Sequence, residues 1–305
     1  MLHVLNGDAT ATVFAGAGLP GERLVWRDIL VEGPVAADVS LAERAAYLAE
    51  RLELDGAAYA RGVEEQTASL AAAHGQDEIV LWFEQDLFCA VTLWSLLDRF
   101  ARQAPGCRLS LVYPACDGEI TGLGAMQPAQ LAALFSERRP VTEPMRALGA
   151  QAWTAYAAPD PLATAACAGG ETLPFVEGAF RRHLGRFPSV ATGLNEVESA
   201  ALDVLHRGPR GFGALFGEVG TDGRVRRHGM GDVQFAAYLR GLAPLVSRDG
   251  DELAITARGR AVAAGEEDWL GVQPLDTWLG GVHLRPGRPP WRWDGARLVI
   301  SSRGV

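Results

Sequence analysis

Residues 78–102 read EIVLWFEQDLFCAVTLWSLLDRFAR and show the fold most clearly. The first part, Glu78 to Phe83, is a short apolar run of the kind that forms a buried strand. The second part, Asp86 to Arg102, repeats apolar residues at helical spacing and predicts a helix with one apolar side. A strand that leads directly into a helix is the repeating unit of folds built around a parallel sheet.

The same alternation extends through the first half of the chain. The predicted strands are Leu2 to Leu5, Arg23 to Trp26, Glu78 to Phe83 and Arg108 to Tyr113. Between the second and third strands, Ser40 to His74 is rich in Ala, Leu, Glu and Arg and predicts two helices that break near Asp55-Gly56. Strands that alternate with helices predict an α/β domain over residues 1–126, with a mostly parallel, Rossmann-like sheet.

The rest of the chain follows different patterns. Residues 127–193 carry prolines where helices would begin or stop, which predicts a helical connector of short helices. Residues 194–267 predict three helices and then a hairpin around Asp249-Gly250-Asp251, the element order of a winged-helix-like α+β domain. The three helices are Asn195 to His206, Gly211 to Val219 and Asp232 to Leu242. Residues 268–305 are rich in Trp, Gly and Pro, and we expect this tail to dock on the first domain.

Composition and charge exclude several chemistries. All 28 basic side chains of the 305-residue chain are arginines. Without lysine there is no Schiff base, pyridoxal aldimine or phosphate-loop lysine. The formal net charge is −9, and the acidic excess lies in residues 1–150, which hold 20 acidic and 11 basic side chains. An acidic half repels phosphate backbones, so nucleic-acid binding by simple charge attraction is disfavoured there.

Cysteine usage and the start of the chain predict a cytoplasmic protein. Cys89, Cys107, Cys116 and Cys167 form no Cys-x-x-Cys pair and are expected to be free thiols. The first predicted strand follows Met1 at once, so we expect no secretory signal. No apolar run approaches the ~20 residues of a membrane span, and we expect no membrane partner.

Polar residues follow each predicted strand, at the edge where a parallel sheet binds its ligands. In strand order they are Asn6-Gly7-Asp8, Arg27-Asp28 with Glu32, Glu84-Gln85-Asp86, and Asp117-Gly118-Glu119. Because the carboxyl ends of parallel strands meet at one edge, these carboxylates are expected to share a crevice. Gathered carboxylates repel one another and need a cation, which can be Mg²⁺, a cationic group of the substrate or an arginine.

The crevice predicts the following roles. The candidate catalytic residues are Asp8, Asp28, Glu32, Glu84 and Asp86, of which Asp8, Glu84 and Asp86 are the candidate metal ligands. The candidate ligand-binding residues are Asn6, Gly7, Arg27, Asp117 and His283, the last carried to the crevice by the docked tail. An alternative is that Asp8, Asp28 and Asp86 only cap the helices that follow them.

Five stretches of the chain also match a family pattern. They are Leu2-His-Val-Leu-Asn-Gly-Asp8, Trp26-Arg-Asp28 with Glu32-Gly-Pro34, Leu81-Trp-Phe-Glu-Gln-Asp-Leu87, Trp278-Leu-Gly-Gly281 and Trp291-Arg-Trp-Asp294. Together, over nearly the whole chain, they resemble a bacterial family known as domain of unknown function 1835. That family has Glu-His-Asp around Glu84, whereas this chain has Gln85 in place of the histidine and Cys89 and Ala90 at later polar positions. The resemblance implies where a site lies but no activity, and chemistry that needs the histidine would not carry over.

Three functions stay open at this point. The leading one is an enzyme that binds a small polar or phosphorylated ligand at the crevice, with metal-assisted phosphoester or nucleotide chemistry. The second is a metabolite-sensing transcriptional regulator whose winged helix binds DNA, although Asp232 opens its third helix with a charge that phosphate repels. The arginines that could contact DNA phosphates are Arg207, Arg210, Arg224, Arg226, Arg227 and Arg240. The third is a non-catalytic interaction protein.

Overall fold

The computed structural model describes residues 1–103, 106–114, 122–167, 172–173, 176–288 and 291–300. It shows a mixed α/β fold around a five-stranded sheet in the order β2-β1-β3-β4-β5. The strands are β1 (Leu2–Leu5), β2 (Glu22–Val25), β3 (Glu78–Trp82), β4 (Arg108–Val112) and β5 (Arg139–Pro140). Strands β1 to β4 are parallel and the short β5 is antiparallel to β4. The mostly parallel sheet is therefore confirmed, and each predicted strand ends within one residue of its observed position.

Helices cover both faces of this sheet. In chain order they are α1 (Asp8–Ala15), α2 (Leu41–Leu52), α3 (Gly56–Ala71), α4 (Leu87–Arg102), α5 (Pro128–Ser136), α6 (Glu143–Tyr156) and α7 (Val176–Leu184). Side chains alternate along each strand, so Val4 and Leu81 pack with α4, α6 and α7 on one face. Leu5 and Val80 pack on the other face with Phe14 of α1. None of the helices within the described ranges is long and apolar enough to cross a membrane.

Side chains that cap the helices explain where α2, α3 and α4 begin. Ser40 accepts a hydrogen bond from the backbone of Glu43 at the start of α2. Asp55 caps α3 in the same way, which explains the predicted break between the two helices. Asp86 caps α4. Short 3-10 helices add Ala72–Gly75, Leu123–Ala125 and Pro161–Ala166.

A second group of elements lies in residues 194–272 and has its own apolar core, which includes Val197, Phe235 and Leu253. In chain order the elements are α8 (Glu196–His206), β6 (Arg210–Gly211), α9 (Phe212–Thr221), α10 (Asp232–Gly241), β7 (Val246–Asp249), β8 (Glu252–Ile255), α11 (Ala257–Ala263) and α12 (Trp269–Val272). The three strands form a small antiparallel sheet in the order β6-β8-β7. The three helices and the hairpin of the sequence prediction are present, and β6, α11 and α12 are additional.

Two small antiparallel hairpins form the tail. They are β9 (Thr277–Leu279) with β10 (Val282–Leu284), and β11 (Trp291–Trp293) with β12 (Leu298–Ile300). The turn of the first hairpin packs on the end of α6 and on the loop after β2, because Gly281 N donates to Tyr156 O at 3.0 Å and Val35 N donates to Gly280 O at 3.3 Å. A Cβ atom on Gly281 would lie 2.0 Å from the carbonyl oxygen of Ala157, so this contact requires glycine.

The loop between β2 and α2 is buried over most of residues 28–34 although it has no regular structure. Its carbonyl groups receive hydrogen bonds from the buried side chain of Arg44 in α2. Arg44 donates to the carbonyl oxygens of Ile29, Glu32 and Pro34 at 2.6, 2.8 and 2.9 Å. Because buried carbonyl groups need donors, this one guanidinium group holds much of the loop in place.

A second buried arginine, Arg186, binds the same loop from the segment after α7. It donates to the carbonyl oxygen of Val31 at 2.6 Å and to the Glu32 carboxylate at 2.9 Å. Its Nε also donates to the hydroxyl of Tyr238 in α10 at 3.3 Å, and Gln234 donates to Glu32 at 3.3 Å. The loop therefore connects the central sheet to the second group of elements through a buried ion pair.

Removal of the Arg186 guanidinium should destabilise the protein strongly. In Arg186→Met the Glu32 carboxylate would stay buried without its cation, so we expect the free energy of unfolding to fall by about 3–5 kcal/mol. Urea unfolding followed by circular dichroism measures this loss. The control is Arg102→Met, because among the described residues the exposed Arg102 pairs only with Asp98, and its removal should cost under about 1 kcal/mol. Equal losses in the two variants would contradict a structural role for Arg186.

Candidate functional site

The strand order places the topological switch point of the sheet between β1 and β3, and we call the region beyond these two strand ends the crevice. Strand β1 pairs with β2 on one side and with β3 on the other. The connection from β1 to β2 runs through α1 on one face of the sheet, whereas α3, which leads to β3, packs through Leu70 on the opposite face. When the connections after two neighbouring strands go to opposite faces of a sheet, a gap forms between them at the carboxyl ends of the strands. Ligands of such sheets bind in this gap. Asn6 follows β1 and Glu84 follows β3, so both lie at this crevice.

Asn6 and Glu84 are joined by a hydrogen bond across the crevice. Asn6 Nδ2 donates to Glu84 Oε1 at 3.1 Å and also lies 3.1 Å from the sulfur of Cys89. The hydroxyl of Thr10 in α1 donates to Asn6 Oδ1 at 2.6 Å, which fixes the orientation of the amide. The backbone N of Leu123 donates to the same Glu84 oxygen at 2.8 Å. The structure therefore brings together the predicted residues Asn6 and Glu84.

The carboxyl groups of Glu84 and Asp86 are both less acidic than ordinary carboxyl groups. Burial raises the pKa of Glu84, although the hydrogen bonds from Asn6 and Leu123 oppose that rise. Burial and then the nearby charge of Glu84 raise the pKa of Asp86 to about 7. Burial, followed by these two negative charges, also raises the pKa of the Cys89 thiol. Cys89 is therefore a protonated packing residue, and the titratable groups of the site are the two carboxyls.

The first turn of α4 is covered by a distant segment of the chain. Leu87 N donates to the carbonyl oxygen of Arg227 at 2.9 Å, and Phe88 N donates to that of His228 at 3.2 Å. Gly229 follows with a φ of 65°, and a Cβ atom there would lie 2.4 Å from Asp86 Oδ1. Asp86 itself accepts a hydrogen bond from Cys89 N at 2.7 Å, so it is a helix cap, as the alternative interpretation proposes. The free amides at the start of α4 are thus occupied by protein groups.

Asp8 and Arg27 form an exposed pair at the rim of the crevice. Arg27 Nη2 lies 2.6 Å from Asp8 Oδ1, and the two side chains are 61% and 68% exposed. The hydrogen bond with Arg27 lowers the pKa of Asp8, which keeps it ionised. Gly7 beside them has a φ of 147°, and a Cβ atom on it would meet no atom of the described residues within 4 Å. This side of the crevice is therefore open, and its ion pair is weak enough to exchange partners.

Asp28 and Glu32 serve the loop and not the crevice. The Asp28 carboxylate accepts a short hydrogen bond from the hydroxyl of Tyr59 and lies 3.5 Å from Arg44. The Glu32 carboxylate is bound by Arg186 and Gln234. Both acids are buried with these partners, and we therefore correct their predicted catalytic role to a structural one.

Two further predicted residues do not join the site. His283 Nε2 lies 2.7 Å from Asp276 Oδ1, and its ring stacks on Trp278 with 4.3 Å between the ring centres. These contacts keep His283 within the tail, so its predicted ligand-binding role at the crevice is not supported. Asp117 lies outside the described residues.

The predicted metal ligands are not gathered. Asp8 is paired with Arg27, whereas Glu84 binds Asn6 and Asp86 caps α4. Across the part of the chain that the structure describes, no three His, Cys, Asp or Glu side chains form a group that could hold a metal ion. A magnesium ion held by Asp8, Glu84 and Asp86 together does not fit this arrangement.

Several contacts of the site lie beyond what the sequence analysis identified. The sequence after β3 indicated the carboxylates Glu84 and Asp86. It did not indicate that Leu123 N donates to Glu84 or that Gly229 packs on Asp86, because both contacts come from loops that carry no motif. Cys89 is buried, and its contact with Asn6 follows from its position one turn into α4. The sequence did not indicate the structural role of Arg186, because its partner Glu32 is 154 residues away along the chain.

Comparison with known proteins does not assign the chain to a family. No protein-family model and no curated protein matches the sequence. The resemblance to domain of unknown function 1835 stays a prediction, and the function has to be argued from the site itself.

The variant Asp86→Asn should change the pH dependence of stability. Asparagine can still accept the hydrogen bond from Cys89 N, so α4 keeps its cap. In the native protein the Asp86 pKa lies at about 7, above its ordinary value of 3.8, so its contribution to stability is present at low pH and is lost as the pH rises through 7. The variant has no such loss. As the pH rises from about 5 to about 8, the free energy of unfolding of the variant should rise by a few kcal/mol relative to that of the native chain, at about 1.4 kcal/mol per pKa unit.

Urea unfolding of both chains at about pH 5 and about pH 8 measures this difference. A difference between the two chains that stays constant with pH would contradict the raised pKa of Asp86.

Proposed function

We propose that this protein is an enzyme that binds a small polar or phosphorylated substrate in the crevice between β1 and β3. The observation that carries the proposal is the hydrogen bond of 3.1 Å from Asn6 Nδ2 to Glu84 Oε1. It joins the ends of the two strands between which the sheet order reverses. An amide and a carboxyl group with raised pKa thus stand where folds of this class bind ligands.

Glu84 is the proposed general acid and base. Because burial raises its pKa, the carboxyl group is closer than an ordinary glutamate to the range in which it can both release and accept a proton. Hydrogen bonds from Asn6 and Leu123 fix Oε1, and Oε2 accepts no hydrogen bond from the described residues. In a hydrolysis, Glu84 would take a proton from the attacking water and give one to the leaving oxygen of the phosphoester.

Arg27 and Asp8 are the proposed contacts for the charged part of the substrate. A phosphate or carboxylate is a better partner for a guanidinium group than an exposed aspartate, because it can offer two oxygens in a bidentate geometry. Once Arg27 turns to the substrate, Asp8 is free to meet a cation. Mg²⁺ in such sites is held by one or two carboxylates together with substrate phosphates, so we propose that any Mg²⁺ arrives with the substrate and meets Asp8.

The region of residues 194–267 is proposed to be a winged-helix-like domain that covers the first domain. Its support is the order of a helix, a short strand, two helices and a hairpin around one small sheet. We do not favour DNA binding by this region, because four of the six candidate arginines are paired with carboxylates. The four are Arg207 and Arg210 with Glu218, Arg224 with Asp203 and Asp222, and Arg240 with Glu53. Free thiols at Cys89, Cys107 and Cys167 agree with the proposed cytoplasmic location.

The proposal is tested by binding and turnover with defined phosphorylated probes. Nucleoside monophosphates and sugar phosphates, each with Mg²⁺, are added to the full chain, and the melting temperature and the release of inorganic phosphate are measured. We expect at least one probe to raise the melting temperature and to be hydrolysed. Glu84→Gln should lower kcat by about 10²–10⁴-fold and keep the melting shift, because only the proton transfer is lost.

Two further variants sharpen this test. Asn6→Ala should lower kcat and keep the melting shift, because Glu84 Oε1 loses a hydrogen bond that orients it for proton transfer. Glu266→Gln removes an exposed carboxylate outside the crevice and should behave like the native chain. The proposal is wrong if no probe binds, or if Glu266→Gln loses as much activity as Glu84→Gln.

A further inference from the structure

A second cavity lies away from the sheet edge, where α2, α10, residues 188–195 and the tail meet. Its inner part has a volume of about 100 Å³ and its outer part about 470 Å³. The two parts share Arg51, Gly241 and Asp276 in their walls and form one cleft, which we call the α2–α10 cleft. Clefts at the junction of several chain segments are common positions for small ligands.

Arg51 presents a positive charge to both parts of this cleft. Its guanidinium lies 5.8 Å from the centre of the Tyr238 ring, a position typical of a cation held over an aromatic face. Within the described part of the chain, Arg51 forms no salt bridge and its side chain donates no hydrogen bond. Its neighbour Arg240 differs, because Arg240 pairs with Glu53 and donates to the backbone oxygen of Arg51.

Glu198 presents the opposite charge to the inner part of the cleft. One of its oxygens, Oε2, accepts from Asn195 N at 2.9 Å in the capping box of α8. The other oxygen, Oε1, receives no hydrogen bond from the residues that the structure describes. Burial raises the pKa of Glu198 to about 7, and the charge of Arg51 opposes this rise. The charges of Arg51 and Glu198 therefore interact across the cleft, although the two side chains form no ion pair.

The polar groups on the floor of the cleft already have hydrogen-bond partners. Arg186 and Glu32 line the inner part but are bound to each other, and Arg186 also donates to Tyr238. These groups form a rigid polar surface with little capacity for a new partner. Among the groups that line the inner part, the Arg51 guanidinium and Glu198 Oε1 are two that have no hydrogen-bond partner among the described residues.

The mixture of charges selects the class of ligand. A simple anion would meet repulsion from Glu198 and from the acidic residues Glu50 and Asp276 in the outer wall. A simple cation would meet repulsion from Arg51 and Arg240. A molecule that carries both charges avoids both penalties, because each end can face the charge it needs.

We propose that the α2–α10 cleft binds a small zwitterion of the amino-acid type, with its carboxylate on Arg51 and its ammonium group on Glu198 Oε1. The fork of N–H groups on arginine matches a carboxylate in a bidentate geometry. The inner part of the cleft holds the charged groups, and the larger outer part takes the side chain of the ligand. This site is separate from the crevice between β1 and β3 and does not depend on the proposed function.

The test uses free amino acids as probes on the full chain. Each standard amino acid is titrated separately by isothermal calorimetry, and we expect one or a few related ones to bind. The bound amino acid is then compared with its carboxamide and with its N-acetyl form, which each lack one of the two charges. Both derivatives should bind at least about tenfold more weakly. This comparison uses the native chain and does not depend on the folding of any variant.

Three variants assign the contacts. Arg51→Gln and Glu198→Gln should each weaken binding of the amino acid at least about tenfold, and glutamine at 198 can keep the capping box of α8. The control is Arg61→Gln, an exposed arginine of α3, which should bind like the native chain. The proposal is overturned if no amino acid binds, or if the N-acetyl form or inorganic phosphate binds as well as the amino acid.

Discussion

Burial of a carbonyl group without a hydrogen-bond donor costs free energy of folding. In the buried loop of residues 28–34, two arginines supply donors to these carbonyl groups. Arg44 reaches the loop from α2, and Arg186 reaches it from the segment after α7. The rest of the structure depends on these contacts because the loop leaves β2 next to the crevice and also forms the floor of the α2–α10 cleft. One irregular segment thus runs from Arg27 at the rim of the crevice to Glu32 in the wall of the α2–α10 cleft.

Much of the fold could be predicted because its signals are local. Short apolar runs mark the four parallel strands of the sheet but not β5, which has two residues. Asp55 and Asp86 mark helix starts through hydrogen bonds from backbone N–H groups three residues further on. The tail hairpins could not be predicted in this way. Their strands have three residues each, which is too short for alternation to show, and they are held by contacts with distant groups such as the carbonyl oxygen of Tyr156.

The candidate site was predictable only in part. Topology places residues that follow parallel strands at one edge, and this general rule led to Asn6 and Glu84. The same rule does not say which acid already has a partner. Asp28 and Glu32 looked equivalent to Glu84 in the sequence, but they are neutralised by Arg44 and Arg186, whose approach depends on tertiary packing. The α2–α10 cleft had no sequence signal, because its charges come from different helices.

The cover over α4 has a consequence for how the protein can be divided. Residues 227–229 close hydrogen bonds on the first turn of that helix and shield Asp86. A fragment cut after residue 126 would leave the amides of Leu87 and Phe88 bare to water and would let solvent reach the aspartate. The burial that raises the pKa of Asp86 would then be relieved, so a truncated domain would misrepresent the carboxyl chemistry of the whole chain.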